Sequence, residues 1–343
     1  MQNENQEISL SVIVCCNNVE HYLDKSLKCL ERQWGDRTDY EILLVNDGSA
    51  DGTLAKLNDF QSRHPDNVKV IDKKQNAGLA AARNSALDIA RGKWIGFFDP
   101  DDLLAEGSYV KLLELIEAGA DYDMLRFGVQ IVEGDTDIPA PVLTEPLSID
   151  WRGTSLEYMQ ESSFGTCWCY LYRREVIGDR RFPTNMIIED LLFLVPVLLE
   201  GQKMAKTKAK VYYYFVRSDA ATSVSHNRNR LGRQSEDIAS GVAKLEEFKQ
   251  GQPENIQQRL LEKQQLLVHN MSVRMLLSDK GPQEVDRIVQ SMRKLKLFPL
   301  AGGGMMVGLI NYVFSHLWAL SIFRPMYRSF RSLYPKIRRL LRR

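Results

Sequence analysis

No aspartate or glutamate follows Asp286, although twelve of the 45 lysines and arginines do, in a chain of 343 residues whose formal charge is only +1. The body before that point is therefore net acidic. A basic end on an acidic body suits an anionic partner surface for that end alone and speaks against nucleic acid as the partner of the rest. Cysteine is scarce: Cys15, Cys16, Cys29, Cys167 and Cys169, an odd number without zinc-site spacing. That argues against a disulfide framework or a structural zinc and fits reduced thiols in a cytosolic protein. There is no Gly-x-Gly-x-x-Gly, and no lysine follows a glycine loop, so the dinucleotide fingerprint and the P-loop are both missing. The opening MQNENQEISL is polar and acidic, unlike a signal peptide. No internal repeat or low-complexity stretch occurs.

What is present is a regular alternation. Residues 8–14 form a β-branched apolar run that predicts a buried strand. Val19, Leu23, Leu27 and Leu30 share one helical face, predicting a helix over 18–30. Strands follow over 40–45, 68–71 and 93–98, with helices over 53–63 and 78–90 between them. Such alternation implies a mainly parallel sheet, with ligands beyond the carboxyl ends of the strands. After about residue 108 the pattern changes. A helix over 109–117 gives way to strands over 124–132, 167–172 and 210–215, with a helix beginning at Glu189-Asp190. Residues 235–296 read as helical, broken at Gly251-Gln252-Pro253 and Gly281-Pro282.

Two strand ends carry acids. The run 93–98 leads into Asp99-Pro100-Asp101-Asp102, and 40–45 into Asn46-Asp47-Gly48-Ser49-Ala50-Asp51-Gly52-Thr53. Three carboxylates in four residues repel one another unless a cation is present, and a hard divalent ion accepts such oxygens together with substrate phosphates. The same acids also suit a solvated turn or a helix cap. Gly78, opening an Ala-rich helix, permits close backbone approach of an anion, with Arg83 one turn further in. On its own Glu189-Asp190 reads first as a helix N-terminus that complements the macrodipole, and second as a carboxylate pair able to take a proton.

Taken together, these loops resemble family 2 of the inverting nucleotide-sugar glycosyltransferases. The resemblance is carried by Asn18-Val19-Glu20-His21-Tyr22-Leu23, Asp47 to Thr53, Asn76 to Asn84 and Asp99 to Asp102. It continues in Leu171 to Glu175, Ile188-Glu189-Asp190 and Tyr212-Tyr213-Tyr214, covering about residues 8–225. It implies an α/β GT-A fold: a Rossmann-like mixed sheet with a nucleotide-binding half (1–107) and an acceptor half (108–225); the helical pattern beyond it reads as a helical extension (226–299). It further implies donor contacts from Asp47, Arg83, Asp99, Cys15, Asn17 and Gly78, and a Mn²⁺ or Mg²⁺ ion on Asp101 and Asp99, with His226 as a further ligand. Asp190 is the expected general base and Glu189 its neighbour. The implied partners are a nucleotide sugar, of UDP type, and a glycan or lipid-linked acceptor. Cys15-Cys16-Asn17-Asn18 departs from the family's Pro-x-Tyr-Asn, and Asn46 replaces a common aspartate. A fold-retaining scaffold without catalysis and a nucleotidyltransferase are the competing readings.

Residues 305–323 are apolar and about long enough to cross hydrocarbon. Gly308, Asn311, Ser315 and His316 interrupt them, and arginine-rich sequence follows. Residues 300–343 therefore predict an in-plane basic amphipathic anchor at the inner face of the cytoplasmic membrane, against the alternative of a helix docked on the protein's own core.

Overall fold

A computed structural model describes residues 7–118, 121–134, 138–216 and 227–329. The chain divides into two compact units, Met1–Asn185 with Glu189–Ala220, and Met186–Ile188 with Ala221–Arg343.

The first unit begins with β1 (Leu10–Cys16), α1 (Glu20–Glu31), β2 (Tyr40–Asp47), α2 (Thr53–Arg63), β3 (Val68–Lys73), α3 (Leu79–Leu87) and β4 (Trp94–Phe98). β1 lies between β2 and β4, and β3 flanks β2, all parallel. Every residue of β4 is buried, as in a strand covered on both faces. Because these strands share one direction, Cys16, Asp47, Lys73 and Phe98 end at the same edge of the sheet.

The unit continues with β5 (Leu103–Leu104), α4 (Ser108–Glu117), β6 (Met124–Glu133), β7 (Trp151–Thr154) and α5 (Ser155–Glu161). Then come β8 (Tyr170–Arg173), α6 (Arg174–Ile177), α7 (Glu189–Leu199) and β9 (Lys203–Val216). The sheet runs β3-β2-β1-β4-β8-β6-β9-β5, with β7 also on β9. β8 is antiparallel to β4 and β6, so the sheet is mixed beyond β4. Phe182 stacks on Phe193 at 3.9 Å, and both meet Phe97 edge-on, fixing α7 over the end of β4.

Two sequence expectations need correction. Cys167 to Cys169 form a turn before β8, not part of the strand: Tyr172 Oη donates to the Cys167 carbonyl and closes that turn. β9 starts at Lys203, well before the aromatic stretch: from Ala205 to Lys210 buried positions alternate with more exposed lysines, as in a strand.

The second unit is helical: α8 (Arg228–Lys249), α9 (Glu254–Leu277), α10 (Pro282–Lys294) and α11 (Met305–Ser315). α12 (Leu317–Ser329) begins as a 3-10 turn and meets α11 at a bend of 113°. Val242, Val268, Met271, Met275, Val285, Val289 and Phe314 form its core, and Ile187 and Ile188 pack against that core. Among the described residues no single helix is long and apolar enough to cross a membrane. The apolar run 305–323 is thus broken at His316, and Ile310, Val313, Phe314, Ala319 and Leu320 from it lie in this unit's own core.

Candidate active site

The site is assembled at the edge where β1, β2 and β4 end. After β2, Gly48 adopts φ +64, and a Cβ there would stand 2.6 Å from the Asn76 nitrogen. The chain can therefore turn under residues 75–76 only as glycine. The loop is clasped from the other side. Val19 N donates to Thr53 Oγ1 at 3.0 Å, Gly52 N donates to Glu20 Oε2 at 2.8 Å, and Ala50 N donates to Asn18 Oδ1 at 2.8 Å. The Asn18-Val19-Glu20 segment thus serves as a buckle for residues 49–53.

Asp47 is buried. Its Oδ1 accepts from Ala77 N at 3.1 Å and its Oδ2 from Gly78 N at 2.8 Å, while Lys73 Nζ lies 2.7 Å from Oδ1. Asn17 Nδ2 donates to the Asp47 carbonyl at 2.7 Å. Asp47 therefore ties the end of β2 to the loop that opens α3, where Gly78 has φ +88. Asn46 has its own logic. Its Nδ2 donates to Asp72 Oδ1 at 2.8 Å, a bond that an aspartate at this position could not donate.

Arg83 on α3 is the hub. Its guanidinium pairs with Asp190 Oδ1, with Glu189 Oε1 at 3.4 Å and with Asp99 Oδ1 at 3.2 Å. It lies 5.2 Å from the centroid of the Phe182 ring and 5.9 Å from that of Phe97. Only 3% of the Arg83 side chain is exposed. Burial pulls the Arg83 pKa down, but Asp190, Cys167 and Asp99 outweigh it and hold the charge firmly. One cation thus brings together the end of β4, the start of α7 and α3.

The remaining acids have distinct surroundings. Cys167 N donates to Asp190 Oδ2 at 3.3 Å. Burial, then Asp190, push the Glu189 carboxyl up to about 7 from the ordinary 4.5. From the sequence Glu189 is expected only as a neighbour of the base, yet it is a largely buried carboxyl in its own right. Asp99 N donates to Tyr212 Oη at 3.1 Å. Asp102 is 1% exposed and accepts from Tyr212 Oη at 2.8 Å and from Phe215 N at 2.9 Å, fastening the acidic loop to β9. Burial and then Asp99 push Asp102 up to about 8. At the end of β1 the Cys15 thiol is raised to about 12, by burial first, and it feels the charges of Arg83, Asp99, Asp47 and Lys73. It therefore stands among the residues singled out from sequence. Trp168 stacks on Tyr212 at 4.4 Å and on Tyr214 at 5.4 Å, walling one side of the acidic loop.

Asn17, Asp47 and Gly78 thus form one bonded group, and Arg83, Asp99, Glu189 and Asp190 a second; Cys15 feels charges from both, and Asp101 lies on the same loop as Asp99. His226 lies outside the described residues. Among the described residues no group of three or more His, Cys, Asp and Glu side chains is arranged to hold a metal. Two carboxylates on one loop still fit a cation that takes its other ligands from water and phosphate. Sequence reasoning missed Lys73, because β3 was expected to stop at Ile71, and it missed the charge network around Arg83.

The Glu189 shift gives a stability prediction. The native state holds this proton to higher pH than the unfolded chain does. The contribution is complete below about 4.5 and is lost as pH rises through about 7. Glu189→Gln, which mimics the protonated form, is expected to gain unfolding temperature relative to the parent as pH rises through that window. A difference that stays constant across it would contradict the burial argument.

Residues 11–181, about half of the chain, match the model described as Glycosyl transferase family 2. The minor teichoic acid biosynthesis protein GgaB of Bacillus subtilis is 28% identical over 226 residues, covering 65% of this chain and 25% of that protein. The uncharacterized glycosyltransferase EpsJ of the same organism is 29% identical over 228 residues, covering 63% of this chain and 64% of its own. The chain thus spans less than two thirds of these relatives. In three dimensions it resembles S. aureus TarS 1-349 in complex with UDP-GlcNAc, with a TM-score of 0.59 at 20% identity, covering 95% and 92% of the two chains. It also resembles the mannosyltransferase PcManGT of Pyrobaculum calidifontis with GDP-Man and Mn²⁺, with a TM-score of 0.53 at 15% identity, covering 93% and 88%. The fold is GT-A, the mixed sheet expected from the sequence, followed by a helical region.

Proposed function

Because the chain belongs to glycosyl transferase family 2, we propose that it transfers a sugar, with inversion, from a nucleotide sugar of UDP type to an acceptor hydroxyl during assembly of a cell-surface glycan. The observation that carries this reading is the convergence of Asp99, Glu189 and Asp190 on Arg83, beside the strand ends that hold Asp47 and Cys15. UDP-GlcNAc bound to TarS and the names of the Bacillus relatives support the donor class and the kind of product.

In this reading the strand-end loops hold the nucleotide. Asn17, Asp47 and Gly78 shape the base and ribose side; Asn17 stands where the family has an aromatic residue, and Cys15 where it has a proline. Asp101 and Asp99 would hold Mn²⁺ or Mg²⁺, with His226 as a further ligand, and the ion would supply positive charge for the departing diphosphate. Asp190 is the base. Its Oδ1 is engaged by the Arg83 guanidinium and its Oδ2 accepts from Cys167 N at 3.3 Å; in this reading Oδ2, the oxygen without a cationic partner in that pair, takes the proton. As the acceptor oxygen attacks the anomeric carbon, its proton passes to Asp190. The bond to the diphosphate oxygen breaks with its electron pair, and direct displacement inverts the centre. Glu189, neutral below about 7, limits the negative charge beside the base. Residues 1–107 serve the donor and 108–225 the acceptor. The basic end of the chain places the enzyme at the anionic inner face of the cytoplasmic membrane, where a lipid-linked acceptor is presented.

Turnover of UDP-sugars, assayed with and without EDTA, tests the reading. Activity is expected to vanish on chelation, to return with Mn²⁺ and to fall by at least about a hundredfold in Asp101→Ala. Full activity in that variant would remove the metal assignment. Nucleotide binding without turnover on a broad acceptor panel would favour a scaffold instead.

A further inference from the structure

Among the described residues eleven large hydrophobic side chains are exposed, and six of them, Met305, Met306, Tyr312, Trp318, Ile322 and Met326, fall in α11 and α12. Met305 is 93% exposed, Trp318 62% and Met326 61%. Trp318, Ile322 and Met326 follow one another at four-residue spacing, so they share a face of α12. The opposite face is occupied: Ala319 and Leu320 are in the helical core, with Phe323 and Tyr327 packed against it. Tyr312 sits edge-on to Trp318 at 6.5 Å, continuing the aromatic surface from α11 across the bend.

Two arginines fix this orientation. Arg324 donates to the Met275 carbonyl at 3.2 Å, and Arg328 donates to the Ser278 carbonyl and to Asp279 Oδ1 at 2.7 Å. Both are spent on the end of α9. They dock α12 by its inner side and leave the apolar side outward. In sequence, Arg331, Lys336, Arg338, Arg339, Arg342 and Arg343 follow this segment, and no acid lies anywhere after Asp286.

An apolar, aromatic-rimmed surface in a segment with cations and no anions fits the interface of an anionic bilayer. We infer that the bent pair α11–α12 is a membrane wedge, with Trp318, Ile322 and Met326 entering the headgroup boundary while the basic end of the chain holds the acidic lipid. The inference rests on the membrane placement proposed above and deepens it. Lipid contact is hydrophobic as well as electrostatic, so salt alone does not abolish it.

The test is co-sedimentation of the full chain with phosphatidylcholine vesicles, with and without phosphatidylglycerol. The parent is expected to bind the anionic vesicles and to keep part of that binding at high salt. The exposed-site variant W318S/I322S/M326S is expected to lose about tenfold or more in partitioning, with unchanged unfolding temperature and unchanged turnover of a soluble acceptor. Trp318→Phe should retain binding. If the triple variant partitions like the parent, while replacing the six basic residues by glutamine abolishes binding, the wedge is overturned and the membrane placement stands. A parent that ignores both vesicle types overturns both. A concentration-dependent dimer that dissociates in the triple variant would assign the face to a second copy instead.

Discussion

Asp190→Asn is expected to lower kcat by about 10²–10⁴-fold, the usual worth of a positioned general base, with little change in donor KM. Asparagine keeps the size of the side chain and an oxygen for the Arg83 guanidinium, so the packing around Phe182 and Phe193 should survive. What it loses is the ability to take the acceptor's proton. The effect belongs on kcat because the loops after β2 and before α3 are fastened by Asp47 and Gly48, and asparagine keeps the tie through Arg83 to Asp99. Steady-state kinetics at saturating acceptor, with nucleotide affinity measured in parallel, separate the two. A variant with kcat within a few-fold of the parent would show that another group accepts the proton. Equal losses in nucleotide affinity and kcat would show that Asp190 has a binding role.

Arg83→Met is expected to cost about 3–5 kcal/mol of stability, the range seen when one partner of a buried ionic cluster is removed. The methionine stem can fill part of the space against Phe182, but it leaves Asp99, Glu189 and Asp190 facing one another without a cation. Charge, not volume, should dominate the loss. The double variant R83M/D190N is therefore expected to recover part of it, because one fewer carboxylate is left unpaired. Arg83→Lys should fall between, since an ammonium cannot address three acceptors with a planar fork. Urea unfolding of the parent, R83M, R83K, D190N and R83M/D190N checks the order. If R83M unfolds like the parent, or if D190N adds its full cost to R83M, the cluster is not held by this charge.

The placement of these residues was only partly legible in the sequence. The parallel half could be read because β1 and β4 are mostly apolar runs and because β2 and β4 each lead directly into acids. The resulting edge, with Asp47 and Asp99 beyond neighbouring strands, follows from direction alone. β1 ran two residues past its expected end because Cys15 and Cys16 pair with Val45 and Asn46 and behave as small apolar residues in the sheet. β9 was read only over its aromatic stretch, although the lysine alternation before it already carried the strand signal. The role of Arg83 was out of reach. In sequence it is a single basic residue in an Ala-rich helix, and its partners are supplied by a loop and a helix that only the folded sheet brings near. Lys73 was hidden for a similar reason: its meaning depends on Asp47 ending the adjacent strand.

The central claim is that acids at the tips of β2 and β4 form one nucleotide site that needs a cation. Calorimetric titration of the full chain with UDP, with Mn²⁺ present or after chelation, addresses it most directly. The account predicts saturable binding with Mn²⁺ that weakens at least about tenfold on chelation and equally in Asp101→Ala. UDP binding that is indifferent to both, or no binding under any condition, would contradict it.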